Sequence, residues 1–312
     1  MLKEKLRKWG FLLRLVLGVA ILILLVQHVD FNMLALLGAG QITIVILVVL
    51  AVVATAWFEA ARLRSLSENQ FTMKTMLRVI FIALFITNFT PASIGGDGYK
   101  ILKMAGQKGY VSATALILLE RTLGLSVLLL GSFVFAVLLG DGWLQDYYAI
   151  GSTVDFQQYW NEFTQTLLAG FLILGLLLLL FFRRFIFKLL REFVTALIQI
   201  PFKSFSLALL YTVMFHTVKA ILLCIVLAVV GQQLDFAQAW VVLAFAAVAG
   251  MIPLSIGGLG IREAAFVVAL APFAIASPPA LFAGLVFRIA SIFQAGIGSF
   301  LSIRSGKETT EK

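Results

Sequence analysis

The sequence has one cysteine, two histidines and six prolines in 312 residues, and only 12% of it is charged. A single cysteine can neither close an internal disulfide nor meet a zinc-ligand set, and Cys224 sits in the apolar run AILLCIVLAVV, where it reads as packing. So few charges leave no polar stretch long enough for a soluble domain. No nucleophile frame and no metal-ligand spacing occurs, and the Gly-x-Gly matches have no strand before them. No catalytic residue, metal or cofactor is therefore expected. A net charge of +9 would suggest nucleic acid in a soluble chain, but no aromatic-basic module interrupts the apolar runs, and nucleic acid is not an expected partner.

What is abundant is apolar: 62% of residues are hydrophobic and the mean hydropathy is +1.05. That composition describes an all-α polytopic membrane protein of one membrane domain over residues 1–312. Segments are expected near residues 11–29, 42–61, 76–110 (interrupted), 112–139, 164–182, 205–230, 236–277 (interrupted) and 279–303. The first, after MLKEKLRKWG, resembles a signal peptide but ends in QHVD without a small-residue cleavage site, so it reads as a retained span.

Lysine and arginine test this layout, because short cytoplasmic loops collect them. They fall in clusters: Lys3 to Arg14, Arg62 with Arg64, Lys74 and Arg78, Lys100 with Lys103 and Lys108, Arg183 to Lys203, and Arg304 to Lys312. The alternate loops, 30–41, 141–163, 231–236 and 274–279, contain none. The pattern requires each interrupted segment to enter and leave on one side. Both are then helical hairpins, with about six full spans beside them, both termini cytoplasmic and the protein multi-pass in the cytoplasmic membrane. Parity leaves open whether the hairpins stop at mid-depth or almost cross.

The interruptions match one another: PASIGGDGYK at Pro91 to Lys100 returns as PLSIGGLGIR at Pro253 to Arg262. Arg121 and Arg288 are 167 residues apart, the phrases 162, and the span starts 163. The chain therefore reads as an inverted-topology repeat, 11–139 followed by 164–303, an architecture that places substrate between its halves. Pro91 and Pro253 are expected to end the incoming helices. New helices should start after Gly98 and Gly260, turning their N-H groups toward the middle of the protein, a seat for phosphate or carboxylate. Gly95, Gly96, Gly257 and Gly258 would supply positive φ and close approach.

Four cations lie inside the apolar segments, Arg121, Lys219, Arg262 and Arg288, with Glu120, Glu263, Asp97 and Glu59 as available partners. Each cation opposes insertion by roughly 2.5 to 3.5 kcal/mol on an insertion scale unless it is paired or hydrated. The second half has three cations against Glu263 alone, an excess that points to an anionic substrate. Structural ion pairing is the competing account. The candidate substrate-binding set is Gly95, Gly96, Asp97, Lys100, Glu120, Arg121, Lys219, Gly257, Gly258, Gly260, Arg262, Glu263 and Arg288. His216, one turn from Lys219, reads as a packed neutral histidine or a proton relay.

These phrases, with the Glu120-Arg121 pair and Arg288, resemble the lysylphosphatidylglycerol synthase transmembrane-region family of flippase-like membrane proteins, over essentially the whole chain. In fusion proteins of that family the membrane part is coupled to a soluble aminoacyl-lipid synthase. No stretch of this sequence reads as that domain, so the resemblance implies lipid translocation as a class and no particular lipid. The expected function is transfer of an anionic lipid or lipid-linked intermediate between leaflets, with membrane lipids, and a separate lipid-modifying enzyme, as partners. A membrane-embedded lipid-modifying transferase and a small-solute secondary transporter are the alternatives.

Overall fold

The structure is a computed structural model that describes residues 41–90, 94–139, 183–251, 255 and 257–310. The spans expected at 11–29 and 164–182, the acidic loop 141–163, the prolines Pro91 and Pro253, and the side of each terminus lie outside the described residues or outside what a structure without a membrane defines.

All regular structure among the described residues is helical: α1 (Gln41–Leu66), α2 (Met73–Thr87), α3 (Ile94–Lys108), α4 (Tyr110–Leu139), α5 (Arg183–Gln199), α6 (Phe202–Val229), α7 (Phe236–Ala249), α8 (Ile261–Leu270), a 3-10 turn (Ala271–Phe273) and α9 (Ser277–Thr310). Four helical stretches are long and apolar enough to cross a bilayer: Val45–Leu66, Tyr110–Leu138, Phe202–Val229 and Ser277–Ser302. Their outward faces carry apolar side chains such as Phe133, Leu138 and Ile289, all well exposed. In water such a surface would drive aggregation, whereas hydrocarbon accommodates it.

The interrupted segments are helix pairs. α2 has 15 residues and α7 has 14, about 22 and 21 Å at 1.5 Å per residue, both short of the roughly 20 residues a crossing needs. Thr72 starts α2 by accepting from the Thr75 N-H, and the Gln238 side-chain amide oxygen accepts from the Asp235 N-H at the start of α7. The incoming helices end at Thr87 and Ala249, several residues before the two prolines.

Among α1–α4 and α6–α9 the packing pattern is unchanged when each helix is exchanged for its counterpart. α1 packs on α6, α2 on α9 as α7 on α4, α2 on α3 as α7 on α8, and α3 on α4 as α8 on α9. Two apolar cores follow. One is built around Leu63, Ile80, Ile117 and Leu119 of α1, α2 and α4. The other gathers Leu223, Leu227, Trp240, Phe266 and Leu270 of α6–α8. Gly131 of α4 meets the Trp240 ring, and Gly298 of α9, 167 residues later, meets the Phe81 carbonyl. At both crossings a β-carbon would force the helices apart.

One expectation is corrected. Residues 183–203 read as a basic loop, but 183–199 form α5, with Phe193 in the first core and Glu192 accepting from the Ser112 hydroxyl at 3.0 Å. Phe187, Leu190, Val194 and Ile198 face outward at helical spacing, with Lys188 and Arg191 among them, the distribution of a helix lying at a membrane surface.

Candidate functional site

The two hairpins touch at their tips. The Gly257 N-H donates to the Thr90 carbonyl at 3.2 Å, and a β-carbon on Gly257 would stand 2.9 Å from the Asn88 carbonyl oxygen. The glycine phrases, far apart in sequence, thus lie side by side. Their conformations differ. Gly257, Gly258 and Gly260 have φ of 59°, 71° and 80°, three positive-φ positions interrupted by Leu259, the last of them where α8 begins. Gly95, Gly96 and Gly98 have no positive φ and lie inside α3, which starts at Ile94 and not after Gly98. The Thr90 hydroxyl accepts the Gly95 N-H at 3.2 Å, so the helix can begin early. Glycine is needed there for proximity: a β-carbon on Gly96 would strike the Thr87 hydroxyl and the Ala83 carbonyl of α2.

Around these tips the ionisable side chains gather. Glu120, 1% exposed, accepts from Arg62 at 2.6 Å and from Lys100 at 3.3 Å; Lys100 also donates to Glu59 at 2.7 Å. Arg121 binds Asp97 through Nε at 3.1 Å and Nη2 at 2.7 Å. Arg62 and Lys100, assigned from sequence to cytoplasmic clusters, are thereby placed in the interior, 7% and 3% exposed. Arg62 was the residue that sequence reasoning missed. Its signal was its position one turn beyond Glu59 on a helix whose span had been ended at residue 61.

In the second half Glu263 pairs with Arg288 and not with its neighbour Arg262. Arg288 Nε and Nη2 donate to the two Glu263 oxygens at 2.6 and 3.3 Å, while Nη1 and Nη2 donate to the carbonyls of Gly257 and Gly258, both at 2.9 Å. This guanidinium is committed. It ties α9 to α8 and to the loop before α8, whose Gly258 carbonyl also accepts the Arg262 N-H at 3.2 Å. Glu263 is 1% exposed, and removing either partner of so buried a pair would leave a bare charge.

Arg262 and Lys219 differ from the rest. Neither makes a side-chain hydrogen bond or an ion pair among the described residues, although Glu59 lies within electrostatic reach of Lys219 and Glu263 of Arg262. The Arg262 side chain runs past Gly250 and Gly258, where β-carbons would approach its Nε to 2.7 and 3.0 Å. Gly250, at the end of α7, carried no signal in the sequence, yet its missing side chain makes room for this arginine. The Lys219 ammonium stands 4.2 Å from the Phe215 ring centroid, a cation-π contact. Lys219 and Arg262 lie within electrostatic reach of each other, and both reach Arg121. All thirteen candidate residues therefore belong to one neighbourhood. His216 donates to the Gly124 carbonyl at 3.0 Å. Among the described residues no group of histidine, cysteine and carboxylate side chains is placed to hold a metal ion.

A family model described as "Lysylphosphatidylglycerol synthase TM region" matches residues 11–298. No curated protein and no solved structure matches the chain.

Proposed function

Because the chain belongs to the lysylphosphatidylglycerol synthase transmembrane-region family, we propose that it carries an anionic lipid or lipid-linked intermediate between the leaflets of the cytoplasmic membrane, without hydrolysing a nucleotide itself. The observation that carries this reading is the tip-to-tip contact of two broken helices beside a charge cluster with excess positive charge. Six cations, Arg62, Lys100, Arg121, Lys219, Arg262 and Arg288, meet four carboxylates, Glu59, Asp97, Glu120 and Glu263. Charge at this depth is costly, and an excess is tolerated where water or a ligand enters. Irregular backbone is tolerated at this depth on the same condition.

The inverted repeat belongs to this proposal, with halves at about 11–139 and 164–303. The exchange symmetry of the helix packing and the Gly131 and Gly298 crossings support it. In such architectures the two halves rock about a fixed site at their boundary. The lipid would be supplied by a separate lipid-modifying enzyme.

Proteoliposomes test the reading. With a fluorescent anionic lipid in both leaflets, an impermeant quencher should reach the whole pool when the protein is present and about half without it. Quenching that stays at half, for anionic lipids of every head group tried, would overturn translocation. Lipid co-purifying with the protein, identified by mass spectrometry, names the head group, and an unchanged lipid mass separates translocation from a transferase.

A further inference from the structure

Away from the charge cluster, α5 divides its surface into three sectors. One is docked: Phe193 packs against the first core, Ile200 just beyond the helix is buried in it, and Glu192 accepts from the Ser112 hydroxyl of α4 at 3.0 Å. A second is apolar and uncovered. Phe187, Leu190, Val194 and Ile198 recur at intervals of three and four residues and are all about half exposed or more. Between these two runs a polar flank, Lys188, Arg191 and Thr195, again at helical spacing. With Phe187 and Glu192 these residues line an open cleft of about 650 Å³, within the roughly 300 to 1,000 Å³ of small-molecule sites. Lys188 and Arg191 are exposed, and neither makes an ion pair or a side-chain hydrogen bond among the described residues. The helix carries Arg183, Arg184, Lys188 and Arg191 against Glu192 alone, and that carboxylate is held by Ser112.

We propose that this flank binds the phosphate of an anionic phospholipid from the leaflet against which α5 lies, a resident lipid and not the cargo. The apolar sector settles among acyl chains, and the cations beside it reach the level of the phosphates, as in an amphipathic helix at a membrane surface. Lipid is favoured over a protein partner because α5 packs on α4, whose exposed Phe133 and Leu138 already face hydrocarbon. Charge selects the head group. An anionic one complements Lys188 and Arg191, whereas a zwitterionic one brings an ammonium that they repel. Each lysine or arginine near an anionic surface strengthens association about fivefold. Two such factors give about 25-fold; Glu192 nearby lowers this, so a preference of about tenfold is expected. The site is distinct from the charge cluster, since Ser112 and Arg121 stand nine residues apart on α4, about 13 Å along the helix. A lipid held here fixes α5 to the membrane surface, and through Phe193 and Glu192 it fixes the near end of the helix that carries Glu120 and Arg121.

Brominated lipids test the site in full-length protein reconstituted into vesicles of phosphatidylcholine and phosphatidylglycerol, because bromine on an acyl chain quenches only a fluorophore close to it. In a Cys224→Ser background, a fluorophore attached at Val194→Cys reports on α5, and one at Phe133→Cys reports on the exposed face of α4. At Val194→Cys, phosphatidylglycerol should associate about tenfold more strongly than phosphatidylcholine; at Phe133→Cys the two should compete equally. Lys188→Gln/Arg191→Gln changes exposed side chains only, so it should melt with the parent protein and bring the preference at α5 close to one. Salt at 1 M, where the screening length is about 3 Å, should do the same without any substitution in the flank. Equal association of the two lipids at α5 would overturn the proposal, as would a preference that survives both the double substitution and salt, or one that is just as large at Phe133→Cys. Quenching by neither lipid would show that protein covers this face, and would overturn it too. The assignment does not rest on translocation: a protein that moves no lipid would lose the function proposed above and keep this site, whereas equal association would remove the site and leave that function standing.

Discussion

PASIGGDGYK and PLSIGGLGIR share six of ten letters, yet the first is helical from Ile94 and the second is a left-handed loop up to Gly260. Two differences in sequence explain the divergence. Thr90, whose hydroxyl accepts the Gly95 N-H, corresponds to Ile252, which has no oxygen to offer. Asp97 corresponds to Leu259. In the first half Arg121 finds Asp97; in the second, Arg288 bonds instead to Glu263 and to the Gly257 and Gly258 carbonyls.

The same comparison explains the surplus charge. Lys100 and Arg262 occupy equivalent places, 162 residues apart, but Lys100 is met by Glu59 and Glu120. The spacings of 163 and 167 put Leu222 and Phe287 where those carboxylates would be. The first half is closed by its own ion pairs and the second is left open. The sharpest way to break this contrast is to remove one member of each set. Glu120→Ala strands Arg62 and leaves Lys100 to Glu59 alone, and should cost about 3 to 5 kcal/mol, seen as poor accumulation and a large fall in melting temperature. Lys219→Met removes a charge that has no carboxylate partner and should leave stability equal or raised. Comparable losses in both variants would erase the distinction between closed and open halves.

Much of this was legible in the sequence. Composition placed the long helices, the repeated phrase located the hairpin tips, and the count of charges in the second half anticipated its excess. What could not be read was partner choice. That Glu263 binds Arg288 across 25 residues and not the adjacent Arg262 depends on how α8 meets α9. Arg62 was assigned to a loop because hydropathy ends a span at the first cation, although burial beside Glu120 keeps the helix running to Leu66. Gly250 and Gly298 were invisible for a related reason: a glycine's reason for being there lies in what passes beside it, Arg262 in one case and the Phe81 carbonyl in the other.

The smallest expected effect is also the most direct test of the two backbones. Gly98 and Gly260 are equivalent letters of the repeated phrase. Gly98 lies in α3, and a β-carbon added there would meet nothing within 4 Å, so Gly98→Ala adds helix propensity without a clash and should stabilise by about 0.5 to 1 kcal/mol. Gly260 has φ of 80°, where an alanine costs roughly 1 to 2 kcal/mol, so Gly260→Ala should destabilise by about that amount. Melting of the two single variants gives the signs, and the double variant should equal their sum if the sites do not share a partner. Two shifts of the same sign would mean that the phrases adopt one conformation after all. The account of Asp97 and Leu259 as the residues that set them apart would then fall with it.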